Sequence, residues 1–342
     1  VTPEEREIET SIIVLAFNKL EYTRQCVESI LHYTNGSYEL LLVDNGSADG
    51  TFEYFERVKD FHPDTRVIRH FQNRVVEEIG IHVFSLARGK YIACVANDAI
   101  VHEGWLENFI RQMESAPDIA MVGPRSNNVS GPQMMPTEYD TVEAFHAFAD
   151  EWCRRHKGSN FVIHRVVGVA NILKKSVLER IGGFDPDLPT NGREGGYGFS
   201  DDDFSLRLTL AGYRMLVAND VFIHHFGSVT TRQDRPDLFG APQNVNKEKY
   251  RRKLQQNDRV SVGADGVIKV RPYRLDEEIP VDERTAIRTP RVCFVEKGRG
   301  GKKSRAEYGY AALARKYNGD IIPGRGETIS ALILKALEKN EF

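Results

Sequence analysis

The sequence SIIVLAFN at residues 11–18 opens an alternating series of strand and helix signals that decides the fold. A short apolar run rich in β-branched residues is typical of a strand that is buried on both faces. Further runs of this kind follow at residues 39–43 (ELLLV), 66–71 (RVIRHF) and 90–96 (KYIACVA). Helical spacing is seen between them, at residues 22–31, 51–58 and 77–87. This alternation predicts an α/β fold with a mostly parallel, Rossmann-like sheet flanked by helices.

The chain after residue 100 carries a less regular mixture of the same signals. Helices are predicted at residues 105–113, 142–155, 175–181 and 200–211. Strands are predicted at residues 166–173 and 214–217. The composition becomes charged and turn-rich from residue 258, where alternation predicts a hairpin around 267–270. Two further strand–helix pairs are predicted, at 291–295 with 304–317 and at 320–322 with 328–339.

This organisation divides the chain into three parts. Residues 1–257 form the predicted main α/β domain, with one half at about 10–100 and the other at about 101–257. Residues 258–290 are expected to be a linker that includes the hairpin. Residues 291–342 are expected to be a partial α/β unit, open to being the start of a second domain.

The composition is that of a globular protein with a hydrophobic core. The 342 residues include 46 Lys and Arg against 49 Asp and Glu, a net charge of −3, and 41% are hydrophobic. A nearly neutral balance argues against a dedicated nucleic-acid binder, which would show a basic excess. No apolar run approaches the 18 residues or so that a membrane span needs. The acidic residues that follow Val1 do not resemble a signal peptide.

Cysteine usage favours a reducing compartment. The four cysteines are far apart and show no metal-binding spacing: Cys26, Cys94, Cys153 and Cys293. Cys94 lies in an apolar run and is predicted to be a buried thiol. We therefore expect a cytoplasmic protein. A basic run between Arg284 and Arg305 is either a solvated loop or a contact for a phosphate-bearing or membrane-linked molecule, and a peripheral position at the inner membrane face is left open.

Polar residues follow two of the predicted strands where each strand ends. In VDNGSADGT, at residues 43–51, Asp44 stands beside turn residues and a helix N-terminus. That loop is either an ordinary turn and helix cap, or a grip for a nucleobase and its phosphates. Asp98 follows the strand at 90–96 and is either part of a turn or a ligand for a hard cation, with a diphosphate supplying the other oxygens.

Two clusters in the second half could carry chemistry. Ser200 precedes three consecutive aspartates, so the segment is a good helix N-terminus with Ser200 as cap and Asp203 as a capping-box acid. Three carboxylates exceed what capping needs, and their repulsion could raise one pKa and create a general base. Asp203 is expected to pair with Arg207 four residues on, and Asp202 to face solvent. The second cluster, HHFGS at 224–228, holds either structural histidines or a metal or phosphate contact.

Taken in order, these segments resemble the family 2 glycosyltransferases of the GT-A fold. The residues at 11–18, 43–51 and 87–92 (ARGKYI), with Asn97 and Asp98, resemble the nucleotide-binding half of that family. IGGFD at 181–185 and DDDFSLRLTLAGYR at 201–214 resemble its acceptor half, and HHFGS resembles its closing metal loop. The resemblance runs from about residue 10 to residue 253.

The resemblance implies a role for individual residues. Asp201 takes the place of the catalytic base. Asp98 would bind Mn²⁺ or Mg²⁺ together with the donor diphosphate, and His224 or His225 would be the loop histidine near the metal. The residues implied in nucleotide-sugar binding are Ala16, Phe17, Asn18, Glu21, Asp44, Asn45, Asn97 and Asp98. Those implied on the acceptor and donor-sugar side are Gly183, Phe184, Asp202 and Asp203.

The sequence departs from the family pattern at three points. The usual Asp-x-Asp begins here with Ala96, so that Asp98 remains and a lower metal affinity is expected. The common Asn-x-Gly upstream is Ile-His-Val at 81–83, which leaves the phosphate-side contacts there open. The glutamate that precedes the base in the family is Ser200 here.

The implied activity is metal-dependent transfer of a sugar, with inversion, from a nucleotide-diphosphate sugar to a hydroxyl acceptor. The donor would be a UDP-, dTDP- or GDP-sugar, and the acceptor a glycan, a lipid-linked molecule or a protein. One alternative is a sugar-phosphate nucleotidyltransferase, although that class needs a glycine-rich basic loop where this chain has Asn-Lys-Leu-Glu at 18–21. The other alternative is a catalytically degenerate GT-A module that binds sugar nucleotides.

Overall fold

The protein is described by a computed structural model that covers residues 7–190, 196–227, 229, 244–277 and 279. It also gives the strands at 294–298 and 321–325. The first hundred residues form regular strand–helix units. Their elements are β1 (Thr10–Ala16), α1 (Leu20–Tyr33), β2 (Tyr38–Asp44), α2 (Thr51–Phe61), β3 (Thr65–Arg69), α3 (Val76–Leu86), β4 (Tyr91–Ala96) and β5 (Ala99–Ile100).

The second half is less regular. Its helices are α4 (Trp105–Met113), α5 (Val142–Arg155), α6 (Lys175–Ile181), α7 (Ser200–Leu210) and α8 (Val245–Gln256). Its strands are β6 (Ile119–Ser126), β7 (Asn160–Ile163), β8 (Ala170–Lys174), β9 (Arg214–His225), β10 (Val260–Val262), β11 (Ile268–Val270), β12 (Phe294–Gly298) and β13 (Ile321–Arg325).

One mixed sheet of nine strands organises this fold, in the order β3-β2-β1-β4-β8-β6-β9-β5, with β7 also pairing with β9. The strands β3, β2, β1 and β4 are all parallel, as strand–helix–strand units require. β8 runs antiparallel to β4 and β6, whereas β6 and β9 are parallel. The predicted α/β fold with a mostly parallel, Rossmann-like sheet is confirmed.

Both faces of the sheet are covered by apolar layers. In β1, Ile12 and Val14 pack into one layer while Ile13 packs into the other, as the two-residue period of a strand dictates. Leu40 and Leu41 divide in the same way in β2. Full burial of such a side chain contributes about 1.5–3 kcal/mol. This burial explains why the deciding strands are continuous apolar runs.

The sheet brings the ends of distant segments to one edge. Ala16 pairs with Asp44 at the ends of β1 and β2, and Leu15 pairs with Ala96 at the end of β4. Because β8 is antiparallel, its first residues, and not its last, lie at that same edge. The end of β9 also lies close by, since His225 pairs with Ala99 of β5. The residues that end these strands are therefore grouped at this carboxyl edge, which is where open α/β sheets bind ligands.

Most predicted elements are found within a few residues of their expected positions, and the main differences are in where two strands begin and end. β8 begins at Ala170, later than the predicted strand at 166–173, and β9 continues from the predicted 214–217 to His225. The strands β6 and β7 and the helix α8 were not predicted. Cys94 is half-buried, so the prediction of a buried thiol was wrong in degree, although burial still raises its pKa to about 12.

The C-terminal predictions are tested in part. The hairpin is confirmed, with β10 and β11 antiparallel. β12 and β13 lie near the strands predicted at 291–295 and 320–322 and pair in parallel as a separate two-stranded sheet. The helices predicted at 304–317 and 328–339 fall outside the described residues. Within the described residues, no helix is long and apolar enough to cross a membrane.

Candidate active site

Asp44 is a fully buried carboxylate at the end of β2. Its Oδ1 accepts a hydrogen bond from the backbone N–H of Ser47 at 2.9 Å. Among the described residues its Oδ2 has no hydrogen-bond partner, although the Arg69 Nε lies 3.4 Å away. Leaving a buried carboxylate oxygen without a hydrogen-bond donor is costly, so this atom is a natural acceptor for an N–H group of a ligand.

Asn18 and Asn45 shape the loops around Asp44. The Asn18 backbone is left-handed, with φ 53°, and its side-chain oxygen accepts from the N–H of Ala48 at 2.9 Å. The Asn45 amide group bonds the β3–α3 loop, donating to the Arg74 carbonyl at 3.0 Å and accepting from the Arg74 N–H at 3.0 Å. The structure therefore gives both amides positioning contacts to protein.

Gly46 allows these two loops to approach each other. Its φ is +86°, and a Cβ added there would lie 2.7 Å from the backbone carbon of Gln72. Any other residue at this position would push the β3–α3 loop away from Asp44.

The remaining residues predicted to bind the nucleotide at β1 lie around the start of α1. Ala16 is buried and Phe17 is half-buried. Glu21 is exposed and lines a shallow open hollow together with Asn18, Lys19, Leu20, Arg24 and Asp49. Glu21 thus lies on the exposed surface at the start of α1, whereas Asp44 is buried at the end of β2.

Asp98 lies just beyond β4 and is 6% exposed. Its Oδ2 accepts from the backbone N–H of Val229 at 2.9 Å, and its Oδ1 lies 3.3 Å from the Nε2 of His225. Burial alone would raise the pKa of Asp98, but these two contacts outweigh it, and the pKa is lowered. The neighbouring Asn97 donates to the Thr23 hydroxyl at 2.9 Å, which fixes the turn against α1.

The two histidines of β9 point to different surroundings, as the alternation of a strand requires. His225 faces Asp98. His224 contacts the hydroxyl of Tyr139 through Nδ1 at 3.0 Å and packs against Phe145. Burial lowers the pKa of His224 to about 4, with the neighbouring His225 lowering it further. Of the two predicted candidates for the metal, only His225 adjoins Asp98.

The chemistry of this pair fits a divalent cation. The His225 Nδ1 lies 2.5 Å from the carbonyl oxygen of Asn128, and a carbonyl can only accept, so Nδ1 carries the proton. Nε2 is then the ring nitrogen of His225 that faces the Asp98 carboxylate, and it would be available to a cation held beside both groups. Two neighbouring ligands at about 2.1 Å from one cation stand about 3 Å apart, close to the observed 3.3 Å.

The protein supplies a small part of such a coordination shell. Among the described residues, no group of three or more His, Cys, Asp or Glu side chains could hold a metal. Mg²⁺ and similar ions are commonly held by one or two protein groups while substrate phosphates and water complete the shell. Asp98 and His225 match that pattern.

Asp201 is a half-buried carboxylate in the first turn of α7. Its Oδ2 accepts from the backbone N–H of Gly168 at 3.1 Å, in the segment that leads into β8. Burial raises the pKa of Asp201 to about 6, while the Gly168 hydrogen bond and the charge of Arg165 oppose that rise. A carboxylate with this pKa is ionised at neutral pH and is a stronger base than an exposed aspartate.

The start of α7 differs from the prediction. Phe199, and not Ser200, occupies the cap position, with a left-handed φ of 67° and no side-chain cap. Asp202 was predicted to face solvent, but it is half-buried, and its Oδ1 lies 3.6 Å from the Arg165 Nη1. Arg165 lies beside this turn and forms an ion pair with Asp202.

Asp203 belongs to a buried polar network under α7. Its Oδ2 accepts from the Arg207 Nε at 2.8 Å, which confirms the predicted pairing, and its Oδ1 accepts from the Lys253 Nζ at 2.6 Å. Arg207 also donates to the carbonyl of Gly183 at 2.7 Å. Phe184 packs its ring 4.8 Å from that of Phe204. The buried side of α7 is therefore held by contacts at Gly183, Phe184 and Asp203.

Two contributors to this site were missed from the sequence. Gly168 holds Asp201 through its backbone, and a Cβ on Gly168 would lie 3.1 Å from the Asp201 Oδ1. Arg165 lies against the aspartates of α7. Neither stands in a motif, and each is more than thirty residues from Asp201 in the chain, so pattern alone offered no signal for them.

The fold and this edge define the protein as a glycosyltransferase of the GT-A class. A mostly parallel sheet carries the buried Asp44 carboxylate, the Asp98–His225 pair and the half-buried Asp201 carboxylate at one edge. The model of the family described as glycosyl transferase family 2 matches residues 11–182, just over half of the chain. The chain therefore belongs to glycosyl transferase family 2. Asp201 and His225 lie beyond the matched range.

Named relatives agree with this assignment. Glycosyltransferase GlyG of Streptococcus pneumoniae is 26% identical over 225 residues, covering 61% of this chain and 68% of that protein. Glycosyltransferase AglE of Haloferax volcanii is 25% identical over 235 residues, covering 66% of this chain and 70% of that protein. The chain is a glycosyltransferase with relatives in bacteria and archaea.

A solved structure shares the fold. GalNAc-T7, solved with UDP, GalNAc and Mn²⁺, is 14% identical, with a TM-score of 0.50 over 65% of this chain. The match spans less than half of that protein, 44% of its length. The predicted GT-A fold is confirmed by this likeness.

Proposed function

We propose that this enzyme transfers a sugar from a nucleoside diphosphate sugar to an acceptor hydroxyl, with inversion, and that Asp201 is the general base. The observation that carries the proposal is a half-buried carboxylate with a pKa raised to about 6, at the same sheet edge as Asp98 and His225. Such a group is ionised at neutral pH and can take a proton from an alcohol as that alcohol attacks.

The bonds change in a single displacement. The acceptor oxygen forms a bond to the anomeric carbon while its proton passes to a carboxylate oxygen of Asp201. The bond between the anomeric carbon and the diphosphate oxygen breaks, and the nucleoside diphosphate leaves with that electron pair. Attack on the face opposite the leaving group inverts the anomeric configuration. The Gly168 N–H keeps the Asp201 carboxylate turned toward the edge of the sheet.

Asp98 and His225 would hold Mn²⁺ or Mg²⁺. When bound, the cation would neutralise the charge that develops on the departing diphosphate. The donor set of one carboxylate oxygen and one imidazole nitrogen 3.3 Å apart supports this assignment. GalNAc-T7, which has the same fold, was solved with Mn²⁺ and UDP.

Asp44 would recognise the donor base. Its Oδ2, which has no hydrogen-bond donor among the described residues, is a buried acceptor that an N–H group of uracil, thymine or guanine would satisfy. UDP-, dTDP- and GDP-sugars therefore stay within the proposal. The acceptor is a hydroxyl of a glycan, a lipid-linked molecule or a protein. The cytoplasmic location and peripheral membrane contact expected from the sequence are also part of the proposal.

A donor panel tests this function. Thermal stability is measured with each nucleotide sugar in the presence of Mn²⁺, because a ligand that binds the native state raises the melting temperature. The stabilising donor is then supplied with candidate acceptors, and the anomeric configuration of the product is read by NMR. We expect stabilisation by one base class and an inverted product. A product of retained configuration would refute the single displacement.

A further inference from the structure

The turn that leads into α7 has a strained backbone next to the proposed base. Gly198 and Phe199 are consecutive left-handed residues, each with a φ of 67°. This conformation is costly for a non-glycine residue such as Phe199 and is kept only where surrounding contacts enforce it. Phe199 directly precedes α7 and supplies no side-chain cap. The start of α7, where Asp201 lies, therefore depends on contacts from elsewhere in the chain.

Helix α8 supplies one of these contacts through a buried side-chain amide. Asn246 is fully buried, and its Nδ2 donates to the carbonyl of Gly198 at 2.9 Å and to the carbonyl of Pro189 at 2.8 Å. Both hydrogens of the amide are thus used. Its Oδ1 lies against Gly196, where an added Cβ would be 2.4 Å away. The amide is therefore held in one orientation, and it holds the Gly198 carbonyl in turn.

Two further residues of the α8 region contact the same turn. Asn244, which caps α8, accepts from the Tyr197 N–H at 3.5 Å and donates to the Tyr197 carbonyl at 2.6 Å. Tyr250 packs its ring against that of Phe199, with the ring centroids 5.6 Å apart. Each residue of the turn at 197–199 is thus held from α8, and α7 begins at the next residue.

The Asp201 carboxylate is placed mainly by its own backbone. Among the described residues, its side chain has one hydrogen bond, from the Gly168 N–H at 3.1 Å. A single contact leaves the carboxylate able to follow a shift of the first turn of α7. A misplacement of about 1 Å can slow a reaction about 100-fold. The position of the turn at 197–199 therefore matters for how Asp201 meets an acceptor hydroxyl.

We infer that Asn246 is a positioning residue for the Asp201 base, acting through Gly198 and the turn at 197–199. This inference rests on the proposed function of Asp201. Asn246 fixes the Gly198 carbonyl, and with it the point at which α7 begins, so that the Asp201 carboxylate meets the acceptor hydroxyl. Asn246 takes no part in proton transfer itself, because an amide is not a base at neutral pH.

The test combines Asn246→Ala with removal of the base, each rate being measured well below the melting temperature of the variant. We expect Asn246→Ala to lower kcat about tenfold or more, with the donor KM close to wild type. In an Asp201→Asn background it should cause little further loss, because no base is left to position. A residue that supports the whole site would lower kcat by the same factor in both backgrounds. Gln255→Ala, which removes an exposed amide of the same helix, is the matched control and should be neutral.

Asn244→Gly keeps the inference testable if Asn246→Ala does not fold. Replacing a capping asparagine by glycine costs a helix little, so this change mainly removes the two bonds to Tyr197. It should lower kcat with the donor KM unchanged. Wild-type kcat in a folded Asn246→Ala, or in Asn244→Gly where that variant is needed, overturns the inference, as does an equal loss in both backgrounds. If Asp201→Asn itself transfers sugar normally, the proposed function fails instead, so the two failures are distinguishable.

Discussion

Asp201, Asp202 and Asp203 are adjacent in the chain, yet three different environments separate their chemistry. Asp203 is locked by Arg207 and Lys253, and Asp202 lies against Arg165. Asp201 has a single hydrogen bond, from a backbone N–H, and faces no lysine or arginine within ion-pair distance among the described residues. Burial without a paired charge raises the pKa of Asp201 to about 6, and burial also raises the pKa of Asp202, where the charge of Arg165 opposes the rise.

That raised pKa makes Asp201 costly to the fold at neutral pH. An acid whose pKa is higher in the folded state than in the unfolded state loses stability as the pH rises between the two values. Asp201→Asn removes this penalty while its amide oxygen still accepts from Gly168. We expect the variant to be about 2 kcal/mol more stable than wild type at pH 7.5.

The gain should shrink as the pH falls below about 6 and vanish below about pH 3, where the wild-type carboxyl is protonated in both the folded and the unfolded state. Denaturant unfolding at several pH values measures this. A variant that is less stable at pH 7.5, or a difference that does not change with pH, would show that the Asp201 pKa is not raised.

His225 and His224 offer a matched pair for the metal site. His225→Ala should raise the Mn²⁺ concentration needed for half-maximal activity about tenfold or more, because it removes one of the two proposed protein ligands. His224→Ala removes packing against Phe145 and should lower stability with the metal requirement unchanged. Equal Mn²⁺ dependence in the two variants would remove His225 from the site. The measurement is a metal titration of transfer at saturating donor.

At the scale of elements, the sequence predicted best those strands that are buried on both faces. β1, β2 and β4 are continuous apolar runs, and the helices between them show clear periodicity. β6 was missed because Gly123 and Pro124 interrupt its apolar pattern. β7 is short and partly exposed, and α8 is mostly polar, so neither shows a strong periodic signal. Tertiary pairing, not local propensity, forms these elements.

Contacts between segments that are distant in the chain also limited what the sequence could predict of the site. The order of the motifs predicted which loops meet at the carboxyl edge, since parallel strands must end together. It could not choose between His224 and His225, because the sequence did not show that β9 reaches them and which face each takes. It also could not find Gly168, whose partner Asp201 is distant in the chain.

The network under α7 gives a prediction at this scale. Asp203→Asn leaves Arg207 buried without its carboxylate, and breaking such a buried pair costs about 3 kcal/mol or more. We expect a clear loss of stability in denaturant unfolding, with donor affinity retained in the folded protein. Asp202→Asn, whose partner Arg165 is partly exposed, should change stability by less than about 1 kcal/mol. A stable Asp203→Asn variant would mean that the network is not supporting the helix.

At the scale of the whole molecule, the hairpin region is attached to the main domain. Tyr273 and Ile279 are buried in one of the two apolar layers. The Tyr273 N–H donates to the Leu210 carbonyl at 2.7 Å, and Arg180 bonds the carbonyls of Arg274 and Glu277 at 3.0 Å. Residues up to 279 thus complete the packing beneath α7.

Truncation tests where the catalytic unit ends. A chain that stops after residue 279 keeps these contacts and should fold and bind donor as the full chain does. A chain that stops after residue 257 exposes Leu210 and its neighbours and should lose stability by several kcal/mol or fail to fold. Circular dichroism and donor binding distinguish the two. Normal stability of the shorter chain would show that the hairpin region is a separate linker.

In the proposed mechanism, the Asp201 carboxylate takes the proton from the acceptor hydroxyl. The most direct measurement of this step is the rate of sugar transfer by Asp201→Asn, Asp202→Asn and Asp203→Asn, each folded and saturated with donor. We expect Asp201→Asn to bind donor normally but to transfer sugar about 10²–10⁴-fold more slowly, because an amide cannot accept the proton. Asp202→Asn should transfer at a rate close to wild type. Near-normal transfer by Asp201→Asn, with the loss of transfer rate found instead in Asp202→Asn or Asp203→Asn, would contradict the role of Asp201 as the general base.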